Sequence, residues 1–248
     1  AGVMCRNIQQ EIIENLKIDL KIKSEITKIL RKVDQDISKA QVYEVNKGIF
    51  ENIASFKNEE DFLEQYLQRC RKISGQFYGR SAEIGYIIGS KSITKSKKKD
   101  MLVNFYTEMA TIGQFGNDIG DYALADMHTG TIEKNYYKDF GSDLKNQRLT
   151  YPNYLLLNRI AGSDNFVLIN SIISKGFTTK TMPIFINLMN QLSIFRDSFS
   201  LLNKLFNEKK KGLILPKSEL RTLISSSVIV MKSNKLLTSI KKSATNNS

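Results

Sequence analysis

In the stretch QFGNDIGDY, Gln114 to Tyr122, an amide and two carboxylates, Asn117, Asp118 and Asp121, fall within little more than one helical turn. On a helix Asp118 and Asp121 stand three apart, and Asn117 and Asp121 four apart, so all three can share one face. Carboxylates that close repel each other unless a cation lies between them. Hard oxygen donors of this kind suit Mg²⁺, which takes one or two carboxylates and completes its shell with water and phosphate oxygens. Gln114, one turn earlier, could donate to a phosphate or to a metal-bound water. The same pair would also suit a solvated helix face. The flanks, MATIGQFG and IGDYALA, are apolar and small, which is wrong for such a face. Gly113, Gly116 and Gly120 each cost roughly 1 kcal/mol against alanine inside a helix. Close packing or room for a ligand would explain that cost.

A second stretch, KDFGSDLKNQRLTYP, carries Lys138, Asp143, Lys145, Arg148 and a Thr150-x-Pro152 end. Basic residues beside an acidic metal-type site make sense if an anion sits between them, with carboxylates on the metal and Lys or Arg on the phosphate. Taken alone, the stretch also reads as a Lys-rich surface loop. His128, the single histidine, is expected at the surface of the loop after the acidic helix.

These residues need elements to position them. The 248 residues contain only three prolines and are 41% hydrophobic, enough for one sizeable, all-helical domain over 1–242. Apolar periodicity predicts helices over 3–30, with Ile8, Ile12, Leu16, Leu20 and Ile22 on its face, and over 32–54, with Val33, Ile37, Ala40, Val45 and Phe50. It predicts further helices over 58–90, 99–125, 153–175, 181–207 and 217–242. Asn58 is a candidate N-cap, with Glu59, Glu60 and Asp61 at the positive helix end. Residues 127–152 read as a long structured loop, and 243–248 as a disordered tail.

The formal charge of +12 suits an anionic partner: a phosphate ester, a nucleic acid or a membrane surface. Nucleic-acid binding needs a basic stripe with reading residues, and the Lys clusters at 91–99 and 208–211 are short and lie at loops. No apolar run approaches the roughly 20 residues of a membrane-spanning helix. Cys5 and Cys70 are too few for a disulfide framework, so the expected compartment is the cytoplasm.

The order Q-x-x-N-D-I-G-D, then K-x-x-G-S-D-L-x-x-x-R-x-T-x-P, resembles the trans-isoprenyl diphosphate synthases (polyprenyl synthetases). Their second aspartate-rich motif has the form D-D-x-x-D after F-Q-x-x, followed by K-x-x-G-x-D-L-x-x-G-K-x-T-L-P. Gln114 matches the family glutamine, Asn117 stands at the first aspartate, and Asp118 and Asp121 match the other two. Lys138, Gly141, Asp143, Leu144, Thr150 and Pro152 match, while Arg148 replaces a lysine. Upstream, ISGQFYGRSAEIG is similar to K-T-G/A-x-L-F-x-x-A-x-x-x-G. There Ser74 matches the threonine, Ile73 takes the place of the lysine, and Lys72 is one residue away. AQVYEV is similar to the helix bearing G-Q-x-x-D-L, with Gln41 in place, and AGVM to A-G-D-x-L. LILPKSELRTLI resembles the closing L-P-x-S-x-x-R-x-x-L.

The resemblance implies an isoprenoid-synthase-type bundle of long antiparallel helices around an apolar cavity, assembled as a homodimer. It implies Mg²⁺ at Asn117, Asp118, Asp121 and Asp143, with Gln114, Asp118 and Asp121 in the catalytic set. Lys138, Arg148 and Lys72 would take the substrate diphosphate, and Phe77, Tyr78, Ser74 and Gln41 would line the cavity. The activity implied is ionisation of an allylic isoprenyl diphosphate and attack by isopentenyl diphosphate. The family's first aspartate-rich motif precedes the A-G-D-like start and has no candidate in 1–248, so the first helices are expected to be missing and this chain alone inactive. Two further readings follow from the eroded second motif: an isoprenyl transferase acting on a peptide pheromone precursor, and a non-catalytic subunit of a heteromeric synthase.

Overall fold

A computed structural model describes residues 2–45, 53–122 and 140–211. Among the described residues the regular structure is helical and there is no strand. The helices are α1 (Gly2–Asn15), α2 (Leu20–Val45), α3 (Glu59–Cys70), α4 (Gln76–Ser90) and α5 (Lys97–Gly120). They continue with α6 (Ser142–Lys145), α7 (Tyr151–Ile160), α8 (Asn165–Lys175), α9 (Thr181–Gln191) and α10 (Ile194–Lys211). A π-helical turn, Arg71–Gly75, joins α3 to α4. Lys138, His128, the 217–242 helix and the 243–248 tail lie outside the described residues, as do the side chains of Cys5 and Gln41.

Several boundaries differ from those expected. The first break falls at 16–19, not after residue 30. Local capping places it there: Asp19 Oδ1 accepts from the Lys21 amide at 2.7 Å, and Lys23 Nζ donates to the Glu14 carbonyl at 2.6 Å. The break also shifts the buried stripe. Ile13, Ile22, Ile26, Ile29 and Val33 are buried, whereas Ile8, Ile12 and Leu20 are exposed. The expected helices 153–175 and 181–207 are each divided. Left-handed residues mark both breaks, Gly162 (φ 74°) and Ser193 (φ 57°). The N-cap expectation holds: Asn58 Oδ1 accepts from the Asp61 amide at 2.9 Å, and its carbonyl accepts from Phe62 at 3.1 Å.

The chain groups into two compact units. One comprises Ala1–Tyr43 and Arg69–Thr111, the other Glu44–Gln68 and Ile112–Ser248. In the first, Ile13 packs with Ile22, Ile26, Ile29 and Ile87. There the π turn and α4 come close to α5, and a Cβ on Gly75 would stand 2.9 Å from the Thr107 carbonyl oxygen. Arg71 pairs with Glu108, and Glu83 pairs with both Arg80 and Lys99. In the second unit, α7 packs against α8 and α10, α6 against α8, and α9 against α10. Its core is aromatic. Phe62 stacks on Tyr154 with ring centroids 4.0 Å apart, and Tyr122, Phe140, Phe177 and Phe185 form another cluster.

Candidate functional site

Asp118 and Asp121 lie at the C-terminal end of α5, in the second unit. Asp118 is buried, and each of its oxygens has a donor. Tyr66 on α3 donates its hydroxyl to Oδ2 at 2.8 Å. Gln114, one turn back on α5, donates Nε2 to Oδ1 at 2.7 Å. Both donors are neutral, so they orient the carboxylate without cancelling its charge.

Asp121 is held differently. It follows the last residue of α5 and has no solvent exposure. Its Oδ1 accepts from Ser142 Oγ and its Oδ2 from the Asp143 amide, both at 2.8 Å. Its carbonyl accepts from the Gly141 amide at 3.1 Å. Three bonds therefore fasten the Gly141–Asp143 turn to the end of α5. Gly141 suits this turn because its φ is 63°, and a side chain there would run into the Phe177 ring.

The turn delivers Asp143 to Arg148. Asp143 Oδ1 lies 3.4 Å from Arg148 Nη1, and the Arg148 amide donates to the Asp143 carbonyl at 2.7 Å. Asp143 is buried while the Arg148 side chain is 51% exposed, so the cation stands at the outer edge of the cluster. Asn153 Nδ2 donates to the Arg148 carbonyl at 2.8 Å, and its Oδ1 accepts from the Tyr122 hydroxyl. Burial, together with the charges of Asp121, Asp143 and Asp118, pushes the Tyr122 phenol well above its ordinary range. All three carboxylates thus act on one phenol. The Thr150 hydroxyl is buried and has no hydrogen-bond partner among the described residues.

The second unit therefore brings together Gln114, Asp118, Asp121, Asp143 and Arg148. Asn117 is also in it but exposed. Lys72, Ser74, Phe77 and Tyr78 belong to the first unit. Lys72 is exposed and Ser74 half-buried. Phe77 and Tyr78 are 50% and 54% exposed and meet edge to face. Among the glycines of α5, a Cβ on Gly116 would only touch Leu202 at 3.8 Å, and one on Gly120 would meet nothing within 4 Å. Space beside Gly120, not tight packing, accompanies the acidic turn. Sequence reasoning missed Tyr66, Ser142 and Asn153. Tyr66 lies 52 residues before its partner, and nothing local to it marks the pairing.

Solved prenyl diphosphate synthases share this fold. The chain is similar to a decaprenyl diphosphate synthase from Rhodobacter capsulatus at TM-score 0.59 and 17% identity, covering 86% of this chain and 59% of that one. A polyprenyl synthase from Caulobacter crescentus, complexed with calcium and isoprenyl diphosphate, gives TM-score 0.58 and 15% identity over 86% of this chain and 57% of that one. A geranylgeranyl pyrophosphate synthase gives TM-score 0.65 and 12% identity over 91% of this chain and 64% of that one. The chain spans less than two thirds of the length of each. No protein-family model and no curated protein matches it. The chain has the all-α fold of the prenyl diphosphate synthases.

Whether the residues suit Mg²⁺ follows from their donor chemistry. Among the described residues, no three His, Cys, Asp or Glu side chains form a group able to cage a metal. Mg²⁺ does not need one, since it binds through one or two carboxylates with water and phosphate oxygens. Asp118, a buried carboxylate oriented by Tyr66 and Gln114, supplies a hard oxygen donor of the kind this open mode takes. At Asp121 a metal contact would have to coexist with the two bonds that fasten the turn.

Proposed function

We propose that the protein is a prenyltransferase that condenses an allylic isoprenyl diphosphate with isopentenyl diphosphate, using Mg²⁺ at the acidic turn. One observation carries the reading. A buried, doubly oriented Asp118 shares a compact unit with the Asp143–Arg148 pair, in a fold whose solved examples include one complexed with calcium and isoprenyl diphosphate. Asp118 would be the principal ligand, with Asn117, Asp121 and Asp143 as the neighbouring donors. When bound, Mg²⁺ offsets the charge that builds on the departing diphosphate. Arg148, half-exposed on its buried partner, would take a phosphate oxygen. Lys138 would be a further cation for that group, and Gln114 fixes the carboxylate against which the diphosphate binds. The assembly is assigned to a cytoplasmic homodimer.

The test is chain extension by the whole protein, supplied with an allylic diphosphate, isopentenyl diphosphate and Mg²⁺. The expected result is a longer prenyl diphosphate, with Asp118→Ala lowering kcat by about 10²–10³-fold, the scale of losing one preorganised electrostatic group. Extension at the wild-type rate by Asp118→Ala would overturn the site.

A further inference from the structure

We infer that Tyr66 is a positioning residue for Asp118, its phenol holding the carboxylate in the orientation that receives the cation. This rests on the metal–diphosphate reading of the acidic turn. The aim of the hydroxyl is set by packing. The Tyr66 ring is 2% exposed, stacks on Phe62 at 5.7 Å and meets Phe115 edge-on at 5.5 Å. Tyr151 lies against it at 6.4 Å. A ring confined by three aromatic neighbours has little freedom to swing, so the hydroxyl keeps its 2.8 Å contact with Asp118 Oδ2. Gln114 fixes the other oxygen.

Two donors on two helices, one per oxygen, define the plane of the carboxylate. A lysine or arginine in the place of Tyr66 would orient the group equally well but would oppose a second positive charge. A phenol avoids that conflict, and so does the Gln114 amide. Outer partners of this type set the geometry of a ligating group, and their loss costs about 10–100-fold in metal affinity.

The experiment compares the wild-type chain, Tyr66→Phe and Asp118→Asn by calorimetric titration of Mg²⁺ in the presence of inorganic pyrophosphate. Thermal unfolding without Mg²⁺ is recorded in parallel. Phenylalanine keeps the ring in its aromatic setting and removes only the donor. The expected result is Mg²⁺ binding weakened about 10-fold or more in Tyr66→Phe and abolished in Asp118→Asn. Wild-type affinity in Tyr66→Phe, with binding abolished in Asp118→Asn, would show that Tyr66 only packs, and would overturn this inference alone. Wild-type affinity in Asp118→Asn would overturn the site reading and the inference with it. A second measurement covers failure of Tyr66→Phe to fold. With fluorotyrosine at position 66, the fluorine resonance should move when Mg²⁺ and pyrophosphate are added together; an unmoved resonance overturns the inference.

Discussion

Asp118 and Asp121 stand one helical turn apart and are held by different partners. Among the described residues Asp118 accepts from the side chains of Tyr66 and Gln114, while Asp121 accepts from the turn that follows it. The two should therefore respond differently to substitution. Asp121→Ala would leave the Ser142 hydroxyl and the Asp143 amide without their acceptor, each at roughly 1–3 kcal/mol. Denaturant unfolding should show a loss of about 2–6 kcal/mol, and an unchanged midpoint would mean that the turn is not fastened through this side chain. The types and spacing of Gln114, Asp118, Asp121, Asp143 and Arg148 were legible in the sequence, because each sits in a short motif. The division of labour among them was not. It depends on Tyr66, which arrives from another helix, and on backbone amides, which leave no mark in side-chain identity.

At the scale of elements, the ends of helices decide the geometry. Asn58 caps α3, the helix that carries Tyr66. Asn58→Ala should cost roughly 0.5–2 kcal/mol, read as a lower midpoint in thermal unfolding. Gly141 has the sharper requirement. In Gly141→Ala a left-handed backbone would cost about 1–2 kcal/mol, before the contact with Phe177 is relieved. That variant should lose stability and also weaken diphosphate binding, because the same turn carries Asp143. A variant as stable as wild type would contradict the turn's role. The Asn58 cap was legible because capping is local. The breaks at 16–19 and at Ser193 were not, because apolar periodicity runs through them and single hydrogen bonds and one left-handed residue decide the matter.

For the molecule as a whole, the scarcity of proline and the long periodic segments point to the all-α class, and the described residues agree. The boundaries of the two units fall inside α2, α3 and α5, where the sequence shows no linker. The buried tyrosines give a global prediction. Burial, then the hydrogen bond to Glu59, raises the Tyr151 phenol above its ordinary 10.0. The folded state thus favours the protonated phenol more than the unfolded chain does. Its contribution to stability is complete below pH 10.0 and is lost as pH rises from there toward the folded value. Thermal midpoints should fall across that alkaline window, and by less in Tyr151→Phe. Equal falls in both proteins would remove Tyr151 as the cause.

The central claim is that the acidic turn is a metal–diphosphate site, and its most direct measurement is the binding of inorganic pyrophosphate to this chain with Mg²⁺ and with a chelator. Binding by the wild-type chain that requires Mg²⁺ and disappears in Asp118→Ala is the predicted result. Binding that is indifferent to Mg²⁺, or unchanged in Asp118→Ala, would contradict it.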